Sequence, residues 1–136
     1  MLTIEEARTR VARGAARLDQ YVPNWFDRID EIELDMANPN CCIVGQVFKE
    51  TRHAVGPYII GLNELQFECP FLEIEDAMNV INHGFSIRTS DYGIDQIFGT
   101  DAWVILKKAW VDLIEERRGM KVFNEEATKF FEQVLV

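Results

Sequence analysis

A chain of 136 residues, 48% of them hydrophobic, is the size of one domain with a core of its own and needs neither disulfide nor metal to fold. Its net charge of −9, from 23 acidic and 14 basic residues, argues against nonspecific binding to DNA, RNA or an anionic membrane, since basic patches drive all three. Three cysteines, two of them adjacent, make no disulfide framework; the acidic start lacks the parts of a signal peptide, and no apolar run approaches the ~20 residues of a membrane span, so we expect a reduced, cytoplasmic protein.

Thr3 and Glu6 have the spacing of a capping box. Ile4, Ala7, Val11, Ala15 and Leu18 then recur at helical spacing, with Arg10, Arg13 and Arg17 sharing another face and Pro23 just past the end. The stretch from Pro23 to Ile29 reads as a short turn of helix. In the next run Ile32, Leu34 and Met36 alternate with Glu31, Glu33 and Asp35, a strand signal short enough to be a loop instead. Asn38-Pro39-Asn40 is a break, after which Asn40 is predicted to cap a helix through Glu50 with Val44, Val47 and Phe48 inward.

Thr51 to Gly56 reads as a loop. Pro57 suits the first position of a helix that buries Tyr58, Leu62 and Leu65, although Ile59-Ile60-Gly61 leaves a strand open. Pro70 opens another segment, in which Ile74, Ala77, Met78 and Ile81 form an apolar helical face and Gly84 a left-handed stop. Phe85 and Ile87 suit a short extended piece, and Thr89 to Gly93 a loop. The strongest helix runs from Thr100, its cap, to Arg118, with Trp103, Leu106, Trp110, Leu113 and Ile114 on one face and Gly119 as its stop. Asn124 is predicted to cap a final helix that turns Ala127, Phe130, Phe131, Val134 and Leu135 inward. The expected fold is mainly α: one irregular helical bundle over residues 1–136, with at most one short two-stranded β element and with Trp103, Trp110, Phe130 and Phe131 anchoring the core.

Several stretches together resemble a known group. They are Pro23-x-Trp25 after an arginine-bearing helix, Leu34-Asp35-Met36, the segment Cys42 to Phe48, His83-Gly84-Phe85, and Ala109-Trp110 with Leu113-Ile114 before Arg117-Arg118. This pattern is similar to small proteins of actinobacterial phages, a group with no assigned activity. The resemblance implies a phage accessory protein expressed inside a bacterium, and it carries over no functional residue.

Few residues suggest chemistry. Of Cys41 and Cys42, in the first turn of a helix capped by Asn40, one is expected to pack as a small apolar residue while the other lies at the surface; the alternative is that the helix dipole gives them thiolate character and Cys42 centres a cysteine enzyme. Cys69, His53 and His83 add no paired spacing of the kind zinc needs, so no metal is expected. Gly56 to Gly61 has the glycine spacing of a phosphate loop, but Leu62 and Asn63 stand where lysine and a hydroxyl are required. No cofactor motif is present.

Asp27, Asp30, Glu31, Glu33 and Asp35 form the densest acidic cluster, either a solvated face or a docking surface for a basic partner, which could imitate the phosphates of DNA. Trp25 and Phe26 beside it are either an exposed aromatic contact or a plug at one end of the bundle. Arg10, Arg13 and Arg17 form a basic stripe, suited to an anion or to the protein's own acids. The leading expectation is a non-catalytic interaction protein that binds a protein partner through Trp25, Phe26 and the acidic cluster, with no direct binding of nucleic acid or membrane. A small-molecule or nucleotide binder, holding an anion with Arg17 or Arg52 between helices, is the alternative.

Overall fold

The computed structural model describes residues 1–50, 56–67, 74–92 and 100–134. The expectations at Arg52, His53, Cys69, Pro70, Gly93 and Leu135 lie outside the described residues, as do the side chains of Ile74 and Thr100. Among the described residues five α-helices and two 3-10 turns make up the regular structure, and no strand occurs. The fold is mainly α.

Helix α1 (Ile4–Tyr21) starts where Thr3, in extended backbone, accepts the Glu6 N–H on its hydroxyl at 3.2 Å. One of the free donors of the first turn is thereby satisfied. Ala7, Val11, Ala15 and Leu18 are buried, as their spacing requires. The helix packs on the N-terminal half of α5 (Thr100–Val134), which buries Ala102, Leu106, Ala109, Trp110 and Ile114. Helix α4 (Ile74–Asn82) also packs on α1, and the turn after it places Gly84 at φ of 73°, a left-handed value that glycine adopts without steric cost.

The contact at this turn is close. A Cβ on Gly14 would overlap the His83 carbonyl and sit 3.0 Å from the Trp110 ring, while one on Gly84 would meet the Val11 backbone at 3.1 Å. The Trp110 indole N–H donates to the Gly84 carbonyl at 2.7 Å. Trp110 also stacks on Phe85, centroids 5.5 Å apart, and takes the edge of Trp25 at 5.7 Å. One buried indole thus joins α5, the end of α4 and the 3-10 turn Trp25–Arg28.

Helices α2 (Ile43–Val47) and α3 (Pro57–Glu64) pack together, with Gly61 so near Val44 and Phe48 that a Cβ there would overlap both. The cap of α2 differs from the sequence expectation. Asn38 folds its side chain onto the Asn40 N–H at 2.9 Å, and its carbonyl takes the N–H groups of Cys41 and Cys42, so Asn40 is spent inside a turn. Cys42 is the cap instead, its sulfur accepting the Gly45 N–H at 3.3 Å, and the helix ends at Val47 rather than Glu50.

The alternation from Glu31 to Met36 is not a strand. The Asp30 carboxylate accepts the N–H groups of Ile32 and Glu33 at 2.9 and 3.4 Å, which bends the chain into a turn. Leu34 and Met36 are buried while Ile32 is exposed. The buried Gln46 amide secures this turn: it donates to the carbonyls of Asp30 and Cys41 and accepts the Asp30 N–H at 2.7 Å.

The largest departure is at the C-terminal end. Gly119 does not stop a helix and Asn124 does not cap one; α5 continues through both for 35 residues, ~52 Å at 1.5 Å per residue. Gly119 keeps a negative φ, and side chains on both sides of it hold the helix to the body. Phe130 and Phe131 are exposed, not core anchors, because none of the described residues packs over that side of the helix. Trp110 is fully buried and Trp103 half-buried.

Candidate interaction surface

The C-terminal half of α5 leaves the body through a base of charged contacts. Arg117 donates to both oxygens of Asp19 at 2.6 and 2.7 Å. Arg118 donates to the carbonyls of Phe26 and Ile29 at 2.8 and 2.5 Å and reaches Glu31 at 3.4 Å. Lys121 bonds Asp27, which raises the lysine pKa. An open groove of about 850 Å³ runs between this base and the helix, lined by Asp19, Phe26, Arg117, Lys121, Thr128 and Glu132.

Beyond Lys121 the helix is exposed nearly all round, with Ala127 half-buried. Phe123 is 70% exposed, Phe130 and Phe131 60% each, Val134 62% and Met120 54%. These five residues and Ala127 fall on one side of the helix, since 120, 123, 127, 130, 131 and 134 recur at three- and four-residue steps. Lys121, Glu125, Lys129 and Glu132 lie round the other side. A soluble helix normally buries such a stripe, and a contiguous exposed apolar patch rimmed by polar residues marks a contact surface.

The acidic cluster is divided by the fold. Asp27 and Glu31 bind the base of α5, and Asp30 holds its own turn. Asp35 accepts the Ala37 N–H at 3.0 Å, and both Asp35 and Glu33 are exposed. Trp25 and Phe26 are core residues rather than an exposed contact. The Trp25 indole N–H donates to Asp19 at 3.0 Å, and its ring meets Phe26 and Trp110 edge-on.

The arginine stripe is also divided. Arg10 is buried and closed on Asp91, so it faces no outside anion. Arg17 donates to the Leu65 carbonyl at 2.9 Å and lies over the Phe67 ring, 4.7 Å from its centroid. Arg13 is exposed. His83, beside Arg17, has a lowered pKa because burial and the charges of Arg17 and Arg13 outweigh its bond to the Asn79 carbonyl.

Cys42 is buried and its thiol is pushed up to about 11 by desolvation, against the N–H bonds that favour the thiolate. A place in the first helical turn suggested activation; burial reverses it. Tyr58, half-buried beside a cavity of about 240 Å³ with Leu62, Val80 and Ile87, is raised by the same desolvation. Among the described residues no group of three or more His, Cys, Asp and Glu is arranged to hold a metal, and no helix is long and apolar enough to cross a membrane. No protein-family model, curated protein or solved structure matches this chain.

The exposed stripe was hidden in the sequence. Its spacing is that of a core face, so the pattern alone puts Phe130 and Phe131 inside. The signal that could have separated the two cases is the helix length, since a face continuing past Gly119 outruns the body.

Proposed function

We propose that this is a non-catalytic, cytoplasmic interaction protein whose docking element is the projecting half of α5. The observation that carries this reading is the exposure of Phe123, Phe130 and Phe131 on one side of a helix, a side that none of the described residues covers. Aromatics such as these bury a large area each and dominate interface energetics. The raised pKa and burial of Cys42 support a role without covalent chemistry. Exposed Glu33 and Asp35 favour a partner with a basic surface. The resemblance to actinobacterial phage proteins fits an accessory protein directed at a host or defence protein.

Capture from a bacterial lysate with wild-type protein and with the Phe123→Ser/Phe130→Ser variant tests the reading. The wild type is expected to retain partners that the variant loses while keeping its fold. Identical capture by both, with no change in self-association, would remove α5 as the docking element.

A further inference from the structure

The stripe on α5 has the form of a paired-helix seam. Met120, Phe123, Ala127, Phe130 and Val134 follow one another at steps of three, four, three and four residues, the a/d spacing of two helices packed side by side. Four of the segment's five charged residues, Lys121, Glu125, Lys129 and Glu132, stand away from that seam. The positions beside it hold Gly119, Asn124, Phe131 and Gln133, with Glu126 the one charge. Ala127 at the middle lets a facing helix come close, and the phenylalanines lie to either side of it.

We propose that the occupant of this seam is a second copy of the chain, so that two α5 arms pair side by side in a homodimer. The proposal rests on the reading of α5 as a docking element. Two observations select a second copy over an unlike partner. A copy brings a stripe of the same length and period, which the seam needs to be covered from end to end. The arm carries two lysines against three glutamates, Glu125, Glu126 and Glu132, so it is almost neutral in a chain of net charge −9. Two copies therefore meet through a region where self-repulsion is small, while the acidic cluster of the body stays apart and free for a basic partner.

The area, with the whole exposed stripe covered, just reaches that of a specific interface. Phenylalanines offering ~150–250 Å² each when fully exposed, here 60–70% exposed, present with Met120 and Val134 on the order of 500 Å² per copy. Two arms then bury about 1,000 Å², the lower bound for a specific interface. Pairing also steadies a helix whose apolar side none of the described residues covers, since an isolated stretch of this length is marginal in water.

Sedimentation equilibrium of the full chain, from about 1 to 100 μM, is the test. The expected result is a species of twice 15.7 kDa that persists in high salt. Phe123→Glu/Phe130→Glu should raise the dimer dissociation constant about a hundredfold or more. Lys129→Gln, on the other side of the helix, should leave it within a few-fold. The altered phenylalanines are exposed in the single chain, so near-UV circular dichroism of the Trp25–Trp110 core should be unchanged. A wild-type chain monomeric at 100 μM overturns the dimer, as does a dimer that survives the double glutamate change. If the monomeric chain still loses captured partners on Phe123→Ser/Phe130→Ser, the seam serves an unlike protein and the docking reading stands. If it loses none, both fail.

Discussion

Arg10 and Asp91, 81 positions apart in sequence, meet in a buried two-pronged ion pair with N–O distances of 2.8 and 2.9 Å. Asp91 also accepts the Arg88 N–H at 2.9 Å, and the Leu2 N–H bonds its carbonyl, so the chain start, α1 and the 3-10 turn Thr89–Asp91 are tied at one point. Removing one partner strands a charge out of water. Asp91→Asn or Arg10→Ala should therefore cost about 3–5 kcal/mol in urea unfolding at neutral pH.

The same pair predicts an acid dependence. Burial would raise the Asp91 carboxyl, but the bonds from Arg10 and Arg88 outweigh it and hold it below its ordinary value. As pH falls the unfolded chain takes up this proton first. The contribution is therefore complete above the unfolded value of ~3.9 and is lost as pH falls through the lower folded value. Asp91→Asn should narrow the gap to wild type at acid pH in the same unfolding series. A gap that stays constant below pH 4 would show that the carboxylate is not held low.

Two glycines in helices should respond oppositely to alanine. Gly14→Ala gains helix propensity, yet its Cβ meets the His83 carbonyl and the Trp110 ring, so overpacking of about 1–3 kcal/mol should dominate. Gly119→Ala has open space and helical backbone, and should stabilise by up to about 1 kcal/mol, a few degrees in Tm. A destabilising Gly119→Ala would mean that α5 ends there after all.

Cys42 should be the slower of the two adjacent thiols. Its burial and raised pKa leave little thiolate at pH 7.5, whereas Cys41 is half-buried. Alkylation mapped by mass spectrometry should modify Cys41 first and Cys42 only as the protein unfolds. Equal rates would place Cys42 in a more open setting.

Arg118 should matter more than an ordinary surface arginine. Its guanidinium serves the carbonyls of Phe26 and Ile29, which join the 3-10 turn to α5. Arg118→Ala should cost about 1–3 kcal/mol by thermal or urea unfolding. Lys108→Ala, which removes only an exposed pair with Asp112, should cost under about 1 kcal/mol.

Local signals carried a good part of the fold. Thr3 as cap, the Ala7–Leu18 stripe, Pro57 opening α3, Gly84 ending α4 and the face through Leu106 and Trp110 depend on neighbours within a turn or two, and the sequence specifies those directly. The cap of α2 was missed by two residues because Asn38 competes for the same donors, a choice that only the folded turn reveals. The candidate site was less legible. Asp27 and Glu31 read as free acids because the cations that engage them, Lys121 and Arg118, are about ninety residues away.

What the sequence determined by itself was the mainly helical class, the acidic balance and the positions of apolar stripes, since periodicity and composition are local properties. Only the tertiary structure decided which stripes have something to pack against. The faces of α1 and of α5 before Gly119 each find the other, whereas Phe123, Phe130 and Phe131 share the same helical period and face water. Periodicity states that residues lie on one side of a helix; burial depends on whether the rest of the chain reaches that side.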